Sequence, residues 1–186
     1  MGQQWSGPYA LVMDSPLGKL GIALADQAVC RIDFLPGQAR TQAATAAPAR
    51  RVARELERYF RTGAADFSVA LQLHGTPFQQ RVWQALRAIP RGEVRTYGEL
   101  AAQLGSGARA VGNACRHNPV PVMVPCHRVV GASGIGGYSG HTKGPELRRK
   151  CWLLAHEGAS SGLEKRGNAP HLLCELQSEG DSTHDG

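Results

Sequence analysis

Apolar positions alternate in the first third of the chain and recur at helical spacing in most of the rest. Residues 9–13, 19–25 and 28–35 read as strands, divided by the turns Asp14-Ser-Pro-Leu-Gly18 and Asp26-Gln27. Strand, turn and strand at this spacing predict an antiparallel meander. Residues 39–49, rich in Ala, Thr and Gln, read as a linker. Val52, Leu56, Tyr59 and Phe60 then recur at i, i+4, i+7 and i+8, the apolar stripe of a helix over 49–61 that Gly63 ends. Arg50, Arg51, Arg54 and Arg58 fall on its other faces and read as solvated surface. Residues 67–73 alternate weakly and predict one more strand.

From Thr76 the helical period takes over. Thr76-Pro-Phe-Gln79 is a helix start, with Thr as N-cap, Pro first inside and Gln three on from the cap. Phe78, Val82, Leu86 and Ile89 make its stripe, up to Pro90. Thr96-Tyr-Gly-Glu99 is a second capping box, opening a helix to Leu104 that Gly105 breaks. Ser106 is expected to cap a third helix, which must stop near Asn118 because Pro119 disfavours helical geometry before it. Two short helices joined by Gly105-Ser106 have the shape of a helix-turn-helix. On the second, Val111, Ala114 and Cys115 form the apolar side, while Arg109, Asn113 and Arg116 share another. Gly112 sits mid-helix at a cost of about 1 kcal/mol against Ala, which makes sense where something approaches the backbone closely. A last helix, over 145–157, points Leu147, Cys151 and Leu154 inward, with Gly158 as its stop.

The stretch Asn118-Pro-Val-Pro-Val-Met-Val-Pro-Cys-His-Arg-Val-Val-Gly131 fits neither pattern. Its three prolines exclude a helix interior, so an extended, stiff backbone is expected to deliver Cys126 to one fixed place. His127 and Arg128 follow at once, two groups that favour a thiolate. Neighbours on an extended strand point to opposite faces, so His127 is expected to reach Cys126 through a water. The glycine-rich residues 131–140 lack the Lys and following helix of a phosphate-binding loop.

Composition narrows the class. A chain of 186 residues makes one large domain or two small ones. Its net charge of +6 permits nucleic-acid binding without demanding it. No run approaches the roughly 18 apolar residues of a membrane span. Five cysteines, Cys30, Cys115, Cys126, Cys151 and Cys174, form no regular framework. With no basic patch and apolar segment at the N-terminus, a reducing, cytoplasmic setting is expected.

Pro125-Cys126-His127-Arg128-Val129, with Asn118-Pro119 upstream, resembles the active-site signature of the O6-alkylguanine-DNA alkyltransferases. The resemblance runs from Asp14 to about Gly158 and is densest after Thr76. It implies direct reversal of damage: Cys126 takes the alkyl group from O6 of guanine, irreversibly, so each molecule acts once. Activity on O4-alkylthymine is left open. It implies that His127 deprotonates Cys126 through water, that Glu157 holds His127, and that Asn118 orders the active-site turn. Tyr97 would rotate the target phosphate outward and contact the base, while Arg109 would fill the gap in the stack. Thr96, Gly112, Asn113 and Arg116 would complete the DNA face. Val129, Tyr138 and Ser139 would line the guanine pocket through backbone groups. The partner implied is double-stranded DNA, gripped in the minor groove by a monomer, with cooperative binding as an option.

Nucleotide extrusion fits these residues, because the alkyl carbon lies near the Watson–Crick edge and is out of reach inside a duplex. Minor-groove contacts are largely indifferent to sequence, as a repair protein requires. Three departures stand out. Residues 141–146 are extra relative to vertebrate members. The vertebrate zinc site is not reproduced, since Cys30 and His74 fall near two of its positions but the other cysteines are missing; no metal and no cofactor are expected. Cys126 excludes the related non-enzymatic group that carries Trp there.

The expected fold is an α/β N-terminal domain over 1–73, a small antiparallel sheet plus helix of ribonuclease H-like type. A mainly α-helical, winged-helix-like C-terminal domain over 74–160 contains the helix-turn-helix, and 161–186 is expected to be a disordered tail. Two rivals compete with repair. A regulator using the helix-turn-helix alone would need no nucleophile, and a cysteine hydrolase or redox enzyme would need no DNA helix.

Overall fold

The computed structural model describes residues 7–159, so the tail expected over 161–186 lies outside the described residues. Strands β1 (Leu11–Met13), β2 (Lys19–Ala25) and β3 (Ala28–Leu35) form the antiparallel meander, in the order β1-β2-β3. The hairpin between β2 and β3 turns on Asp26 and Gln27, both at positive φ (47° and 68°). Both halves of a two-residue hairpin of this hand need that left-handed geometry. Leu20 and Ile22 point from β2 into the core, where they meet Val52, Leu56 and Tyr59 of α1 (Ala47–Thr62).

Two expectations in this half need correction. Residues 39–49 are not all linker: Gln42 exchanges backbone hydrogen bonds with Val12, and α1 begins at Ala47 with Pro48 in its first turn. Residues 67–73 form no strand, only one bridge between Leu71 and Val29. The Glu55 carboxylate accepts from the backbone N–H of both Ser68 and Val69, so those donors are not free for a ladder.

Both capping boxes are present, opening α2 (Pro77–Arg87) at Thr76 and α3 (Tyr97–Leu104) at Thr96. Gly105, at φ 62°, closes α3, and its geometry is one that non-glycine residues rarely adopt. Ser106 is not the cap of α4 (Ala108–Arg116). Its N–H bonds back to Ala101, finishing α3, and Gly107 takes the N-cap position without a side-chain bond. Trp83 of α2 is buried and donates its indole N–H to Ala114, fixing α4.

The proline-framed stretch is not extended. The Asn118 side chain accepts from Val120 N–H and donates to Val124 O, and Val124 N–H returns to Val120 O. Prolines forbid a helix here but do not forbid turns, and a local side-chain bond decides between the two. Val122 sits at φ 74°, and Cys126–Arg128 form a single 3-10 turn. Strand β5 (Val129–Val130) then pairs in parallel with β4 (Arg95–Thr96). Helix α5 (Pro145–His156) closes the fold, with Cys151 and Leu154 buried and Leu147 partly so. No helix among the described residues is long and apolar enough to cross a membrane.

Candidate active site

Cys126 opens the 3-10 turn, 5% exposed. The Asn118 amide that holds the loop also donates to its sulfur at 3.2 Å. Burial pushes the thiol pKa up; the Asn118 hydrogen bond, the Lys150 cation and nearby Tyr138 pull against that. The Tyr138 hydroxyl is buried and makes no hydrogen bond by distance and angle, so it acts on the sulfur from beside it. Burial has the largest effect, so the resting group is a thiol. The expectation that His127 and Arg128, following Cys126, favour a thiolate needs correction: Arg128 turns to Glu157, and the groups that act on the sulfur are Asn118, Lys150 and Tyr138.

Arg128 turns to Glu157. Its Nε donates to Oε2 at 2.7 Å, its Nη2 to Oε1 at 2.9 Å, and its Nη1 to the Ile89 carbonyl. His127 Nε2 meets the same Oε1 at 3.0 Å, and the Tyr59 hydroxyl donates to it at 2.8 Å. Four donors on one carboxylate hold Glu157 ionised: burial alone would raise its pKa, but these partners bring it well below the ordinary range. Burial lowers the pKa of His127, with Glu157 opposing. A neutral imidazole beside an ionised carboxylate carries its proton on Nε2, an assignment made from the network. Its Nδ1, buried and without a protein partner, is then the free base. Cys126 and His127 make no direct hydrogen bond, as expected, although the cause is a tight turn and not strand alternation.

Sequence patterning does not single out Lys150. It is wholly buried in α5 and donates to the carbonyls of Val129 (2.6 Å), Ile135 (2.7 Å) and Gly137 (2.9 Å). Burial lowers its pKa to about 8, and the neighbouring cysteines resist that shift. The signal was there, because Lys150 falls on the side of Leu147, Cys151 and Leu154, where a charge needs partners. Helical spacing puts Tyr59 in the core, and a buried tyrosine hydroxyl wants an acceptor.

A cavity of about 170 Å³ opens beside Cys126, lined among others by Tyr97, Gly112, Cys115, Tyr138 and Ser139. Tyr97 donates to Gly137 O at 3.3 Å across it. Val129 does not line the cavity, and its carbonyl is already taken by Lys150. Thr96 spends its hydroxyl capping α3. Arg109, Asn113 and Arg116 are exposed on α4. A Cβ at Gly112 would meet Tyr97 at 3.8 Å, ordinary contact, so internal packing does not demand the glycine. No group of three or more metal-ligating side chains occurs among the described residues.

The site is a buried thiol held by Asn118 next to a supported imidazole, in a cavity that Cys115 also lines, beside the helix pair α3 and α4. Residues 77–159 match the family model described as 6-O-methylguanine DNA methyltransferase, DNA binding domain. The chain is 44% identical over 160 residues to a methylated-DNA–protein-cysteine methyltransferase of Mycobacterium leprae, covering 78% of this chain and 89% of that one. A crystal structure of Mycobacterium tuberculosis O6-methylguanine methyltransferase aligns with TM-score 0.69 at 40% identity, covering 80% and 91% of the two chains. The M. tuberculosis protein in complex with DNA aligns with TM-score 0.67 at 39% identity, covering 88% and 97%. The chain belongs to the methylated-DNA–protein-cysteine methyltransferase family.

Proposed function

We propose that this protein reverses O6-alkylguanine damage in double-stranded DNA by moving the alkyl group onto Cys126. One observation carries the assignment. The Cys126 sulfur sits at a cavity, held by Asn118, one residue from a buried imidazole with a free Nδ1. His127 Nδ1 takes the thiol proton through water, and Glu157 keeps the opposite ring nitrogen protonated. The thiolate attacks the alkyl carbon. A C–S bond forms, the C–O6 bond breaks, and its electron pair leaves on the guanine oxygen. The proton lost by the thiol balances the one guanine regains at N1. The thioether stays on Cys126, so the protein acts once.

Arg109 occupies the stack while the flipped nucleotide enters the cavity beside Tyr97, Tyr138 and Ser139. Gly112 lets the duplex approach α4, with Asn113 and Arg116 on phosphate or sugar and Thr96 at the start of α3. The groove engaged is the minor one, and the binding unit is a monomer. Residues 1–73 then form a ribonuclease H-like domain and 74–160 a winged-helix-like one, in a cytoplasmic protein. The M. tuberculosis relative solved with DNA supports the DNA partner.

A duplex with a single O6-methylguanine tests this reading. Lesion loss should rise to one equivalent of protein and stop. Continued turnover would contradict single use, and no loss would contradict repair.

A further inference from the structure

We infer that Tyr59 is a positioning residue for alkyl transfer, its hydroxyl setting how strongly Glu157 holds the His127 imidazole. The inference rests on His127 being the base for Cys126. Tyr59 lies on α1, 98 positions before Glu157 in sequence, and is wholly buried. The sequence showed no chemistry in this half of the chain.

The argument is one of shared acceptor capacity. A carboxylate oxygen offers about two lone-pair directions. Glu157 Oε1 takes three donors: the Tyr59 hydroxyl at 2.8 Å, Arg128 Nη2 at 2.9 Å and His127 Nε2 at 3.0 Å. Each donor disperses the carboxylate charge and weakens its pull on the others. Tyr59 and Arg128 therefore leave Glu157 able to orient the imidazole without drawing a second proton onto it. That is what a base needs at neutral pH.

Packing fixes the hydroxyl. The Tyr59 ring contacts Phe60, Phe67 and His156, with ring centroids 5.3, 5.4 and 5.5 Å away. His156 Nε2 bonds the Tyr59 carbonyl at 2.7 Å. The charged groups that act on His127 are Glu157, Arg128 and Lys150. Those that act on Tyr59 are Glu157, Arg128 and Arg91. Burial and Glu157 keep the phenol protonated, so it donates at every working pH.

Tyr59→Phe removes the donor and keeps the ring. The acid limb of transfer to free O6-benzylguanine should move to higher pH by about half to one unit, with the plateau rate nearly kept. Site-specific 3-fluorotyrosine at position 59, a stronger donor, should move it to lower pH, and serves if Tyr59→Phe does not fold. Nitrogen NMR of the His127 ring should show the same two directions without reference to activity. Wild-type protein forming no adduct on Cys126 would overturn the base reading itself. With the adduct formed, an unmoved limb in both variants, or equal slowing at all pH, overturns the role of Tyr59.

Discussion

Arg128 and Glu157 form a two-point ion pair inside the protein, at 2.7 and 2.9 Å, with side chains 6% and 0% exposed. The residue next to the candidate base thus serves the carboxylate, not the thiol. Removing one partner strands the other charge, so Arg128→Met should destabilise the fold by about 3–5 kcal/mol. The exposed Arg58–Asp66 pair should contribute less than about 1 kcal/mol. Denaturant unfolding of Arg128→Met and Arg58→Met checks both. Glu157 is held below its ordinary value of 4.5, so its stabilisation is full above that pH and is lost as pH falls further.

This geometry also changes what Glu157→Gln can report. It would leave Arg128 buried and unpaired, so lost activity could come from lost fold. The Asn118 amide is the direct lever on the sulfur, and because it also holds the loop over 118–125, denaturant unfolding of the variant accompanies the rate. Asn118→Ala removes a donor to both Val124 O and Cys126 Sγ. The Cys126 thiol pKa should rise and transfer at neutral pH should slow at least tenfold. Thiol alkylation rates against pH measure the first effect, and O6-benzylguanine transfer the second.

Lys150 gives a prediction with a pH sign. Its folded pKa of about 8 lies below its ordinary 10.5. Between those values the unfolded chain binds more protons, so this group makes stability rise with pH across that window. Lys150→Met should lose that rise. It should also raise the thiol pKa, because a cation near Cys126 is gone. Unfolding midpoints of both proteins from pH 7 to 11 decide the first point; parallel curves would contradict it.

Local chemistry made much of the fold legible. Thr76 with Gln79, and Thr96 with Glu99, satisfy each other within four residues, so both helix starts could be read directly. The hairpin at Asp26-Gln27 is legible because two polar residues between alternating runs mark a tight turn, here with both at positive φ. The loop over 118–125 is not legible from its prolines because one side-chain amide, Asn118, folds what they leave undecided. Residues 67–73 are not legible from pattern because Glu55, on another element, captures the N–H groups of Ser68 and Val69 and leaves one bridge, at Leu71. At the site, Cys126 stood out by motif. Glu157 comes from resemblance alone, and the Tyr59 contact spans 98 positions, beyond any local pattern.

The proposed DNA face is separable from the chemistry in one comparison. Arg109 is exposed on α4 and does not line the cavity beside Cys126. Arg109→Ala should slow repair of O6-methylguanine in duplex DNA at least tenfold and leave reaction with free O6-benzylguanine within about twofold, since a free base needs no extrusion. Equal slowing on both substrates would give Arg109 a role in the fold instead.

The most direct test of the whole account is where the alkyl group ends up. Protein incubated with O6-benzylguanine should gain one benzyl group by intact mass, and peptide mapping should place it on Cys126. Cys126→Ser should gain none while binding duplex DNA near normally, because phosphate and groove contacts carry the affinity. A benzyl group on Cys30, Cys115, Cys151 or Cys174, or one still transferred in Cys126→Ser, would contradict the assignment.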